Sequence, residues 1–195
     1  YIGSVAGSVS NGDRINIDQC SALNCTVTGS SYVGGITGGM VNVHFKNCFV
    51  ENCVITGTEN VGSLIGGGGS GYVSNCSATS CTVNGTNFVG GISGTGYFID
   101  DCLVTECKIN GTSCVSGIAG FGGTIRNCSV QNCIINGTSS IGSILGSQIE
   151  YSGYGEEWFV NNCSVNDSTI TGSFDIGGIV GSGRIIRNCS VQNCT

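Results

Sequence analysis

The stretch Asn127–Thr138 reads NCSVQNCIINGT, and its apolar side chains alternate. Cys128 and Val130 share one side, as do Cys133 and Ile135. A period of two is the period of a strand, whereas a helix repeats every 3.6 residues. Valine and isoleucine dominate these positions, and β-branched side chains suit strands.

The same phrase recurs along the chain. With the first cysteine as position zero, its equivalents are Cys20, Cys48, Cys76, Cys102, Cys128, Cys163 and Cys189, in steps of 28, 28, 26, 26, 35 and 26 residues. At plus five stand Cys25, Cys53, Cys81, Cys107, Cys133, Ser168 and Cys194. Apolar columns run beside them: Ile17 to Ile186 at minus three, Ala22 to Val191 at plus two, Val27 to Ile170 at plus seven. A further column holds Ile2, Val33, Val61, Val89, Val115, Ile141 and Ile176, with another three residues after each. One repeat, read as about three short strands, cannot bury its own apolar side. Stacked coils can, because each column then lies over itself. The expected fold is an all-β, right-handed, single-stranded parallel β-helix of about seven coils of 26–35 residues, forming one domain over residues 1–195. At about 4.8 Å per coil it would stand roughly 34 Å tall. A glycine column at Gly29, Gly57, Gly85, Gly111, Gly137 and Gly172 is expected to supply positive φ at a turn.

Coil length varies at one corner only. The largest insertion, Gln148 to Trp158, carries Tyr151, Tyr154 and Trp158 beside Glu150, Glu156 and Glu157. These three aromatics form a candidate ligand loop able to stack on sugars.

Composition excludes several classes. The chain has 6 basic against 12 acidic residues, so it lacks the basic surface that nucleic acid requires. No apolar run reaches the roughly 20 residues of a membrane-spanning helix, so no direct membrane insertion is expected. Glycoside chemistry needs two facing carboxyl groups, whereas Asp100 and Asp101 are chain neighbours and Glu156 and Glu157 lie in the insertion. No enzyme activity is expected. Ice binding would need an unbroken threonine array, and Lys108 with Asn110 interrupts it.

The 14 cysteines point to an oxidising compartment. With both columns facing inward and the backbone bending between plus two and plus five, the expected pairs are Cys20–Cys25, Cys48–Cys53, Cys76–Cys81, Cys102–Cys107, Cys128–Cys133 and Cys189–Cys194. A ladder of free, packed thiols is the competing reading. Ser168 would leave Cys163 unbridged, and Cys114 is also odd. Only His44 could add an imidazole to the thiols, so no metal or cofactor is expected. Ten Asn-x-Ser/Thr sequons, at Asn24, Asn75, Asn84, Asn110, Asn127, Asn136, Asn162, Asn166, Asn188 and Asn193, are candidate glycan sites. Asparagine serving turns and stacking is the plainer reading.

The phrase NCSV…INGT…VGGI, seen at Tyr32-Val33-Gly34-Gly35-Ile36, Phe88-Val89-Gly90-Gly91-Ile92 and Asp175-Ile176-Gly177-Gly178-Ile179, resembles the GLUG repeat. That repeat occurs in secreted and cell-surface proteins, some of them beside peptidase domains of the IgA-cleaving kind. The resemblance implies an extracellular or cell-surface β-solenoid without enzyme activity. The second cysteine column departs from the usual pattern. Uncapped end coils lead to the expectation of a longer repeat array or a head-to-tail polymer. The expected role is structural, in an extracellular filament or surface stalk, with self-association end to end. An adhesive or carbohydrate-binding module contacting glycans or other surface proteins is the alternative.

Overall fold

The computed structural model describes residues 1–69, 71–148 and 158–195, with the side chains of 10–14 left aside. Alternation and stacking give what the columns require: a parallel β-solenoid of roughly six turns. Every strand pairing among the described residues is parallel, as in Val33↔Val61 and Val83↔Ile109. The pairing reproduces the columns residue for residue. Ile17, Phe45, Val73, Ile99, Ile125, Val160 and Ile186 follow one another in register. So do Ala22, Val50, Ala78, Val104, Val130, Val165 and Val191.

The coil has four walls where three strands were expected. In one coil these are Asn87–Gly90, Ser93–Asp100, Leu103–Thr105 and Lys108–Asn110. The four sheets they belong to are numbered one to four in that order. The variable segment lies within sheet two. There Thr37–Lys46, Ser93–Asp100 and Ala119–Arg126 run unbroken, while another coil is split into Ile65–Gly68 and Tyr72–Ser74. An earlier coil absorbs its extra residues as a register shift between Ser10 and Ile15.

Corners explain the asparagines. Among the described residues, twenty-one other than glycine have positive φ, and the residue before every column-zero and column-five position is among them, from Gln19 and Asn24 to Asn188 and Asn193. Each of these corners reads as one left-handed residue followed by an inward cysteine or serine. Asparagine tolerates this conformation better than most side chains. A third such corner holds Tyr32, Asn60, Phe88, Cys114, Ser140 and Asp175.

The glycines do different work from that expected. Gly57 is not at positive φ; an added Cβ would lie 2.8 Å from Val61 Cγ2 and 2.9 Å from Val33 Cγ2. Its column is small because the valine column packs against it. Gly66 is tighter still. Its Cβ would lie 2.4 Å from the backbone of Tyr32 and Val33, because sheets one and two touch backbone to backbone there. Inside the remaining space the columns close completely: Val61, Ile92, Ile109 and Val130 are each 0% exposed.

Candidate functional sites: the cysteine columns and the outer aromatic face

The left-handed residue sets each cysteine. Because the chain turns at Asn47 and again at Asn52, Cys48 and Cys53 stand at opposite ends of the strand Phe49–Glu51. A strand of three residues spans about 10 Å. The expected bridge is therefore absent, and all fourteen cysteines are free thiols. The nearest pair of Sγ atoms lies 4.4 Å apart, against about 2.05 Å for a disulfide. The pairs Cys20–Cys25, Cys48–Cys53, Cys76–Cys81, Cys102–Cys107, Cys128–Cys133 and Cys189–Cys194 do not form.

Hydrogen bonds replace the bridges. Each column thiol donates to the carbonyl two residues before it, as Cys81 does to Thr79 O at 3.2 Å and Cys128 to Arg126 O at 3.0 Å. In the second column the sulfur also accepts. Cys25 N–H donates to Cys53 Sγ at 3.2 Å, Cys81 N–H to Cys107 Sγ at 3.3 Å, and Cys107 N–H to Cys133 Sγ at 3.4 Å. Neighbouring thiols also bias one another. Cys107 pulls the Cys81 thiol down to about 7 against the opposing effect of burial. Cys107 itself is pushed up, by Cys133 first and then Cys81. In the first column Cys102 raises Cys76 to about 12. Cys114 stands apart at its own left-handed corner, half-buried, 3.7 Å from Ser113 Oγ.

The sequon asparagines are turns and rungs. Asn136 Nδ2 donates to Asn110 Oδ1 at 3.0 Å, and Asn110 Nδ2 to Asn84 Oδ1 at 2.9 Å. Asn75 reaches Asn47, Asn162 reaches Asn127, Asn188 reaches Asn161, and Asn193 reaches Asp167. Asn24 is a left-handed corner, and Asn166 lies in the strand Ser164–Asn166. The amide nitrogen that would carry a sugar is engaged at most of these positions. The pattern follows from fold geometry and gives no support to glycosylation.

Of the candidate ligand loop, Tyr151 and Tyr154 lie outside the described residues. Trp158 does not project as a platform. It packs on Tyr97 and Phe98, with ring centroids 6.0 and 5.4 Å apart, and it covers Gly123, where a Cβ would meet Cε3 at 2.6 Å. Phe98 stacks on Tyr72 at 4.6 Å, and Tyr72 meets His44 at 4.9 Å. Tyr72 and Phe98 cover each other's faces, whereas Trp158 meets Phe98 at a tilt and Tyr97 edge-on. A cleft of about 180 Å³ lies among His44, Tyr72, Phe98, Thr124, Asp100 and Arg126. A larger one of about 470 Å³ lies among Tyr1, Tyr32, Met40, Asn60, Thr95 and Tyr97. Asp100 is bound to Arg126 at 2.8 Å and accepts from Asn127 at 2.8 Å. Among the described residues no group of three or more His, Cys, Asp or Glu side chains could hold a metal ion.

One set of contacts was not anticipated from sequence. Side chains at the third left-handed corner reach over to sheet two of the next coil. Asn60 Oδ1 accepts from Thr95 Oγ1 at 2.5 Å, and Phe88 meets Phe121 at 5.4 Å. The matched chemistry of each pair was visible in the sequence. The corner that brings them together was not.

No protein-family profile matches the chain, so the GLUG resemblance gains no support. No curated protein matches it either. Among solved structures, a protein of Bacteroides ovatus described as a candidate immunoglobulin A1 protease is similar at 18% identity, with a TM-score of 0.44. The alignment covers 97% of this chain and 68% of that one.

Proposed function

We propose that the chain is a structural module of an extracellular filament or cell-surface stalk, without enzyme activity, wound with the right hand that parallel crossovers favour. The observation that carries this reading is the unbroken register of its columns. From Ile17 to Ile186, one residue per coil continues a single internal row. Such an object sets a distance and a stiffness, and its length scales with coil number. Asp100 is engaged in an ion pair with Arg126.

Placement outside the cell follows from the sequence resemblance and no longer from cysteine chemistry. The test combines imaging and accessibility. In electron micrographs of the full natural protein this segment should be a rod of about 5 Å per coil. Antibody raised against it should label intact cells. A compact particle in which the segment folds back, or labelling only after permeabilisation, would overturn the proposal.

A further inference from the structure

The second sulfur column has features that packing alone does not require. Cys53, Cys81, Cys107 and Cys133 stack one per coil, each no more than 2% exposed. Three of these sulfurs accept a backbone N–H from the coil before. Donors aimed at sulfur are what stabilise thiolate and metal-bound thiolate. Beside them Ser63 is 0% exposed, and its hydroxyl helps to lower the Cys81 thiol.

Spacing selects the occupant. Sulfurs approach no closer than 4.4 Å. A metal–thiolate bond is about 2.3 Å, so an ion held linearly between two sulfurs spans about 4.6 Å. Tetrahedral zinc needs four converging ligands, and the described residues offer no group of even three. A soft ion of linear preference needs only two, and thiolates favour soft ions. Charge also decides. Two thiolates neutralise a divalent cation, which spares the buried column an uncompensated charge.

We propose that adjacent thiols of this column, Cys81 with Cys107 foremost, form a linear two-sulfur site for a soft divalent cation of the mercuric kind. Two S–H bonds break, two metal–sulfur bonds form, and two protons leave to solvent, with no change of oxidation state. Entry is from the column ends, where Cys25 and Cys194 are partly exposed.

The experiment titrates the reduced full chain with Hg(II) chloride at pH 5, where both thiols of the pair carry their protons. It follows native mass, proton release, the β-sheet circular dichroism and the thermal midpoint, with Zn(II) as control. Expected are one ion per two thiols, two protons per ion, a retained β spectrum, a raised midpoint, and no zinc bound. A C81S/C107S double variant should bind one mercury fewer. It should fold, since Ser168 already takes a place in the column through the same hydrogen bonds. Unchanged stoichiometry in that variant, one proton per ion, or loss of the β spectrum on binding would overturn the proposal. If the double variant does not fold, X-ray absorption of the mercury-loaded parent decides. Two collinear sulfurs near 2.3 Å support the site, and any other sulfur number refutes it.

Discussion

The Ser168 hydroxyl accepts the backbone N–H of Cys133 at 3.1 Å and donates to Asn166 O at 2.9 Å. These are the two bonds that a column cysteine makes one coil away, where Cys133 Sγ accepts from Cys107 N–H and donates to Gln131 O. The lone serine is thus an equivalent of its neighbours and marks no missing bridge. Cys107→Ser should change stability by less than about 1 kcal/mol. Cys107→Val, of similar size but without an acceptor, should cost about 1–3 kcal/mol because Cys81 N–H is left unpaired. Urea midpoints of the two variants check this. In the same assay the parent should give one midpoint with or without reductant.

Corner residues should respond to backbone chemistry rather than to side-chain size. Asn132 holds φ at 53° ahead of Cys133. Asn132→Gly should be near neutral, since glycine enters this region freely. Asn132→Val should cost roughly 1–3 kcal/mol, because a β-branched side chain is strained there. Thermal unfolding of the two variants side by side measures the difference, which a packing role for Asn132 would reverse.

The columns were legible because period two and register express the same constraint. Once Ile99 and Ile125 share a side in successive repeats, stacking places them in register. The walls were harder to count. A single left-handed residue such as Asn52 does not interrupt the alternation enough to reveal that Val50 and Ile55 lie on different sheets. The same residue hid the fate of the thiols. C-x4-C admits a bridge if the chain folds back between the cysteines, and Asn52 turns it only at the far end of a strand. Asn-Cys was the useful signal, read first as a sequon and in fact a corner. Gly66 was legible as a glycine but not as a contact, since backbone meeting backbone leaves no apolar pattern.

Alkaline pH should loosen the fold through the buried thiols. Burial raises the Cys53 thiol above its ordinary value near 9, and Cys102 raises Cys76 to about 12. A raised folded value means that the folded chain keeps its proton longer than the unfolded one. The associated stability is present below about pH 9 and is lost as pH climbs toward the folded value. Urea midpoints should therefore fall between pH 8.5 and pH 11. Cys53→Ser should flatten that fall, since a hydroxyl does not titrate there. A midpoint that holds steady to pH 11 in the parent would contradict the buried-thiol assignment.

Trp158, the single tryptophan, should report packing rather than ligand. Its ring lies against Tyr97, Phe98 and Gly123. Its emission should be blue-shifted and poorly quenched by acrylamide, and soluble oligosaccharides should leave it unchanged. Trp158→Ala should cost about 1–3 kcal/mol through lost aromatic burial. An oligosaccharide-dependent shift in emission would restore the ring as a binding residue.

The close approach of sheets one and two gives the sharpest contrast between glycines. At Gly57 an added methyl would press on valine side chains, Val61 Cγ2 at 2.8 Å and Val33 Cγ2 at 2.9 Å, and these can turn aside at the cost of local overpacking. Gly57→Ala should therefore cost about 1–3 kcal/mol. At Gly66 the methyl would lie 2.4 Å from Tyr32 C and Val33 N and 2.5 Å from Gly38 O. All three are backbone atoms, so relief requires the two sheets to part. Since coils above and below are held by the same contact at Gly38 and Gly94, parting at one level strains its neighbours. Gly66→Ala should exceed Gly57→Ala in cost and should lower the cooperativity of unfolding, seen as a broader urea transition. Equal costs at the two positions would mean that the sheets separate freely, and would remove backbone contact as the reason for glycine at Gly38, Gly66 and Gly94.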